Sequence, residues 1–177
     1  TDVAGIFGLF EWALNPDDDP ATTEDIPDVI NNSWRSGANF CDDSGLFEVY
    51  DALYAAGIAV VFSAGNDGPG VSTITPPKFN NWDLVRLFSV GNLDGNNPNF
   101  PIANSSSRGP SICGGEGSLL IKPEVSAPGS SVRSSYLDGA YQFLSGTGRN
   151  RQRSQIHLQS RCYKRCHRLR TRCVARS

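Results

Sequence analysis

The chain has 177 residues, 38% of them hydrophobic and 10% aromatic, which is enough for one globular domain with a core of its own. No run approaches the ~18 consecutive apolar residues of a membrane-spanning helix. The net charge of −2 hides a division: residues 1–147 carry eighteen acidic and six basic side chains, whereas residues 148–177 carry ten basic side chains and no acidic ones.

The chain contains no Met and begins without a basic, apolar leader, so it reads as a mature or truncated piece. AGIFGLFEWAL (4–14) sets Ile6, Phe7, Phe10 and Leu14 at helical spacing. NPDDDPATTEDIPD is an acidic surface loop. Its three adjacent Asp residues, 17–19, either attract a cation such as calcium or are a solvated acidic turn.

DVINNSW (28–34) predicts a short buried strand with a polar exit. Asp42, Asp43 or Ser44 then suits the cap of a helix that places Leu46, Val49, Tyr50, Leu53 and Tyr54 on one face and stops at Gly57. IAVVFSAGN is a continuous apolar run, the pattern of a central parallel strand covered on both faces. Strand, helix, strand in that order predicts a βαβ unit. A third strand is expected at RLFSVGNLD, 86–94, and beyond it come short extended pieces broken by Gly and Pro.

In open α/β sheets ligands lie outside the carboxyl ends of the strands. Asn31–Arg35, Ser63–Gly68 and Gly91–Asp94 leave those ends, and their small polar residues suit either a cleft or ordinary turns. Five cysteines are present. Cys41 and Cys113 sit in polar surroundings and read as a disulfide of an oxidising compartment or as two unpaired thiols.

VINNSW, AAGIAVVFSAGNDGP, LFSVGNLD, SSRGPS, KPEVSAPGSSVRSS and YQFLSGT, in this order and spacing, resemble the subtilisin-like serine proteases, or subtilases, from about residue 4 to Thr147. The resemblance implies a three-layer α/β sandwich with a mainly parallel sheet, here incomplete. It implies peptide-bond hydrolysis by an Asp, His and Ser triad, in which His takes the proton of the attacking Ser. Asn66 of SAGN matches the Asn whose side-chain amide steadies the oxyanion; by itself it reads equally as a turn residue or cap. Ser33, Trp34, Arg35 and Ser36 match the segment that pairs with bound peptide, and Ala64 and Gly65 the opposite wall of the specificity pocket. Arg35 stands where the family usually has Gly. It could crowd the cleft, point to solvent or favour an acidic substrate residue. No cofactor is implied beyond an unassignable calcium, and the partners implied are peptide or protein substrates. Secretion is expected on the same ground; oligomeric state stays open.

The resemblance breaks inside a motif. In the family SGT is followed by the nucleophilic Ser and a long buried helix, but Gly148 stands at that position and a basic, Cys-rich sequence follows. The family's Asp and His motifs would lie upstream of Thr1, so the chain as given is expected to be inactive. A pseudoprotease or peptide-binding module is the alternative. His157 and His167, the chain's two histidines, fall in the 148–177 tail, which reads as disordered or as an out-of-frame or mis-spliced version of the nucleophile helix. Two other readings of the tail are a basic arm that binds polyanions without specificity and a zinc site from Cys162, Cys166, His167 and Cys173. Asn31 and Asn104 open two glycosylation sequons; Asn31 is expected to be buried and a poor acceptor.

Overall fold

The computed structural model describes residues 3–36, 41, 44–83 and 86–149. The proposed caps Asp42 and Asp43 and the tail from 150 onward, with its histidines and three cysteines, lie outside them.

Helix α1 (Val3–Leu14) turns Ile6, Phe10 and Ala13 inward. Pro16, two residues past its end, cannot extend it. Helix α2 (Ser44–Ala55) buries Leu46, Tyr50 and Leu53, the face expected from their spacing. Its end has a specific cause. Gly57 takes φ +81°, its N–H donates to Tyr54 O at 3.0 Å, and the Ile58 N–H reaches back to Leu53 O at 2.9 Å. This pair of bonds satisfies the last carbonyls and turns the chain directly into a strand.

Four strands form one parallel sheet in the order β1 (Val29–Asn32), β2 (Ala59–Ser63), β3 (Phe88–Leu93), β4 (Val125–Pro128). Every residue of β2 is buried, as its unbroken apolar run predicts. Val60 and Phe62 pack with the inner faces of α1 and α2. The alternate side chains Ala59 and Val61 pack with Phe88 and Val90, beside Val125 and Ala127 of β4. The α/β architecture is therefore the one expected, with the described residues supplying the sheet and the α1–α2 layer.

The expectation for Asn31 was wrong. β1 lies at the sheet's edge among the described residues, and its side chains run half-buried, half-buried, exposed, buried; Asn31 is exposed and Asn32 is the buried one. Asn104 is also exposed.

Strands β5 (Val132–Ser135) and β6 (Tyr141–Leu144) form a separate antiparallel hairpin, turned by Asp138 and Gly139 with φ +55° and +74°. An Asp-Gly pair is what such a turn needs, because both central residues must enter the left-handed region. Cys41 and Cys113 are joined, with Cα atoms 5.2 Å apart, next to the buried cluster of Ala64, Ile74 and Phe79.

Candidate functional site

Parallel neighbours β1 and β2 run in register, Asn32 beside Phe62, so their carboxyl ends emerge side by side. The segments that follow, 33–36 and 64–68, expected as the two walls of a cleft, leave these adjacent strand ends, and the chain returns beside them at 146–148.

Segment 64–68 is clamped from below by the SSRGP stretch. The Ser107 N–H donates to Gly65 O at 3.0 Å, the Asp67 N–H to Ser107 Oγ at 3.1 Å, and the Gly68 N–H to Ser105 O at 3.0 Å. Gly65 takes φ +110°, and a Cβ there would stand 2.8 Å from Ser107 Oγ, so both backbone and space require glycine. Ala64 is fully buried, its N–H bonded to Val90 O.

Asn66 is exposed at the end of this clamped turn. Its Oδ1 accepts from the Thr147 N–H at 3.0 Å and from Thr147 Oγ1 at 3.1 Å. Thr147 is itself buried, and its Oγ1 accepts from the Gly65 N–H at 3.1 Å. An amide whose oxygen is engaged in this way has its NH₂ oriented, because an N–H donor fixes which end of the amide must face it. Among the described residues no hydrogen bond occupies that NH₂. A Cβ on Gly148 would lie 3.0 Å from Ser33 Oγ, which places position 148 against the first residue of the opposite wall.

The opposite wall divides by alternation. Trp34 O accepts from the Lys78 ammonium at 3.1 Å, and the Ser36 N–H donates to Pro76 O at 3.2 Å. In an extended run, successive residues turn their backbone groups to opposite sides. Trp34 and Ser36 are thus tied to loop 74–80, and the backbone groups of Ser33 and Arg35 lie on the other edge. The Trp34 side chain also turns inward, donating from Nε1 to Asn32 Oδ1 at 2.9 Å and meeting Phe62 edge-on. Of the four expected wall residues, Trp34 and Ser36 are bonded through their backbone to loop 74–80.

Arg35 does not simply point to solvent. Its Nη1 reaches both carboxylate oxygens of Asp67 at 3.2 Å, across from the other wall. Lys78 is 2% exposed, and burial first, then the Arg35 charge, push its ammonium down to about 8.

Asp67, Lys78 and Thr147 belong to this arrangement although motif reading gave them no role. Thr147 had a signal in SGT. Lys78 had none, since PPKFN reads as an ordinary polar turn. No group of His, Cys, Asp and Glu suited to a metal occurs among the described residues. The Asp17 carboxylate accepts from the Asp19 N–H and from Thr22 Oγ1, bonds that hold it below the usual carboxylate range.

The KPE motif lies behind the site. Lys122 and Glu124 form a buried ion pair, and Glu124 Oε2 accepts from the Ser89 N–H at 2.8 Å and Ser89 Oγ at 2.6 Å, tying the residue before β4 to β3. No helix among the described residues is long and apolar enough to cross a membrane.

The model of the family described as the subtilase family matches residues 10–163. Bacillopeptidase F of Bacillus subtilis (strain 168) is 35% identical over 147 residues, covering 78% of this chain and 9% of its own length. Serine protease AprX of the same strain is 30% identical, covering 77% and 31%. The mouse membrane-bound transcription factor site-1 protease is 34% identical, covering 68% and 11%. Among solved structures, Sphericase superposes with a TM-score of 0.56 at 28% identity, covering 81% of this chain and 44% of that one. The S41 psychrophilic protease gives 0.55 at 29%, covering 79% and 43%. The chain thus spans less than half the length of each of these relatives.

Proposed function

The chain belongs to the subtilase family, and from that membership we propose that its described residues are the oxyanion-stabilising and peptide-holding part of a serine endopeptidase site. The carrying observation is Asn66, exposed, with its amide oxygen bound by Thr147 and no hydrogen bond to its NH₂ among the described residues. A donor fixed in advance needs no reorientation when a carbonyl oxygen becomes negative during attack, which makes it effective in an acyl-transfer transition state. The N–H of residue 148 is the second donor of this reading. Ser33 and Arg35 offer the backbone edge along which an extended peptide pairs.

The nucleophile is not supplied at position 148, because glycine has no hydroxyl. With no histidine among residues 1–147 either, the chain as given holds peptide without cleaving it. The tail from 148 is then an out-of-frame or mis-spliced nucleophile segment, an idea that fails if no shifted reading of the gene after Thr147 encodes Ser-Met-Ala or a close relative. The Cys41–Cys113 bridge supports an oxidising, secreted setting.

Two measurements test this. Incubation with casein and a serine-directed fluorophosphonate should give neither cleavage nor labelling; a labelled Ser overturns the assignment of position 148. In ¹⁵N spectra, a short peptide ending in a free carboxylate should shift the Asn66 side-chain NH₂ signals. Shifts confined to residues away from the cleft would overturn the oxyanion role.

A further inference from the structure

The ion pair between Arg35 and Asp67 joins the segments 33–36 and 64–68, the two walls of the cleft in the reading above. Arg35 is one residue beyond Trp34 on the first wall, and Asp67 is one residue beyond Asn66 on the second. Both side chains remain open to water, 63% and 45% exposed, so an arriving substrate can reach them. Lys78 lies beneath, fixed to Trp34 O and buried. Among the described residues, Arg35, Lys78 and Asp67 together give this place an excess positive charge.

We propose that Arg35, held across the cleft by Asp67 and backed by Lys78, makes this site selective for peptides with an acidic side chain next to the carbonyl that Asn66 addresses, and against basic ones. The inference rests on the peptide-holding reading above and adds the substrate class.

The selectivity follows from donor counting. A guanidinium has five N–H donors in a planar fork, and Asp67 engages Arg35 through Nη1. An incoming carboxylate can therefore take the remaining donors without displacing Asp67. A basic side chain has no such opening: it must compete with Arg35 for Asp67 while approaching Lys78. Asp67 is also held in place, since its N–H is bonded to Ser107 Oγ and it follows the clamped Gly65–Asn66 turn. The Lys78 ammonium, at about 8, is still mainly protonated at neutral pH and keeps its part in the field.

Fluorescence anisotropy of the whole chain with three labelled peptides, identical except for a final Glu, Leu or Lys, tests this. The Glu peptide should bind about fivefold more tightly than the Lys peptide at low salt, the scale of one exposed charge pair, and the ratio should shrink at high salt. Arg35→Gly should bring the ratio to about one. Arg35→Lys should retain part of the ratio, and Asp67→Asn should raise it by freeing more of the guanidinium. Equal binding of the three peptides by the unsubstituted chain, or a ratio that survives Arg35→Gly, overturns the charge selectivity and leaves the peptide groove intact. Failure of all three peptides to bind overturns the groove itself, and this proposal with it.

Discussion

Asn66 and Thr147, 81 positions apart, hold each other through two hydrogen bonds to one amide oxygen. Thr147 is buried and Asn66 is exposed, so the anchor is inside and the anchored group is open to solvent.

Replacing Asn66 with Ala should leave the buried Thr147 N–H without its acceptor. A cost of about 1–3 kcal/mol in urea unfolding is expected for an orphaned buried donor. Thr147→Val removes the acceptor of the Gly65 N–H as well as one donor to Asn66, and it should abolish the peptide-induced shift of the Asn66 amide signals. Retention of that shift would mean that the turn alone orients the amide.

Reducing Cys41–Cys113 should destabilise the fold. The bridge spans 72 positions of sequence, and closing a loop of that size restricts the unfolded chain by about 4 kcal/mol in the chain-entropy account. Thermal melts with and without reductant, or of Cys41→Ser with Cys113→Ser, check this. Unchanged melting would show that the loops stay joined through the Ala64–Ile74–Phe79 cluster alone.

Lys78 gives a pH dependence with a definite sign. Its folded ammonium sits at about 8 against an ordinary 10.5. Between those values the unfolded chain binds a proton that the folded chain has released, so stability rises with pH across the window. Below about 8 both states are protonated, and the penalty of burying the charge is fully present, on the order of 3 kcal/mol. Lys78→Met should remove this slope, and the difference between the two proteins' unfolding free energies should narrow from pH 8 to 10.5. A constant difference would refute it.

Glu124→Ala should be among the most damaging single changes outside the cleft. It strips two hydrogen bonds from the buried Ser89 and leaves the buried Lys122 ammonium unpaired. Breaking one side of a buried pair costs about 3–5 kcal/mol. Replacing Lys122 and Glu124 together with apolar residues should recover part of the loss; equal loss in the double variant would place the whole effect in Ser89.

The sequence by itself determined the elements and their order. Ile6 and Phe10, Leu46, Tyr50 and Leu53, and the unbroken run at Ala59–Ser63 are local patterns, and burying them requires only that each face find some apolar neighbour. The left-handed stop at Gly57 is equally local. The β5–β6 hairpin has its Asp-Gly signal too, although its Gly- and Pro-rich surroundings mark it only as short extended segments. Asn31 and Asn32 show the limit of such reading: two identical side chains in succession point to opposite faces, and which face is covered depends on what lies beside β1.

The tertiary structure alone decided how the site is wired. Asn66 meets Thr147, Arg35 meets Asp67, and Lys78 meets the Trp34 carbonyl across separations of 81, 32 and 44 positions. The resemblance to the family marks Asn66 and Arg35 as expected cleft residues. It could not place Lys78 under the wall, because a lysine in a proline turn is solvated or buried according to what folds over it. Hydrogen bonds and ion pairs depend on distances of a few ångström between chain segments. Those distances are set when the sheet assembles, and no local periodicity encodes them.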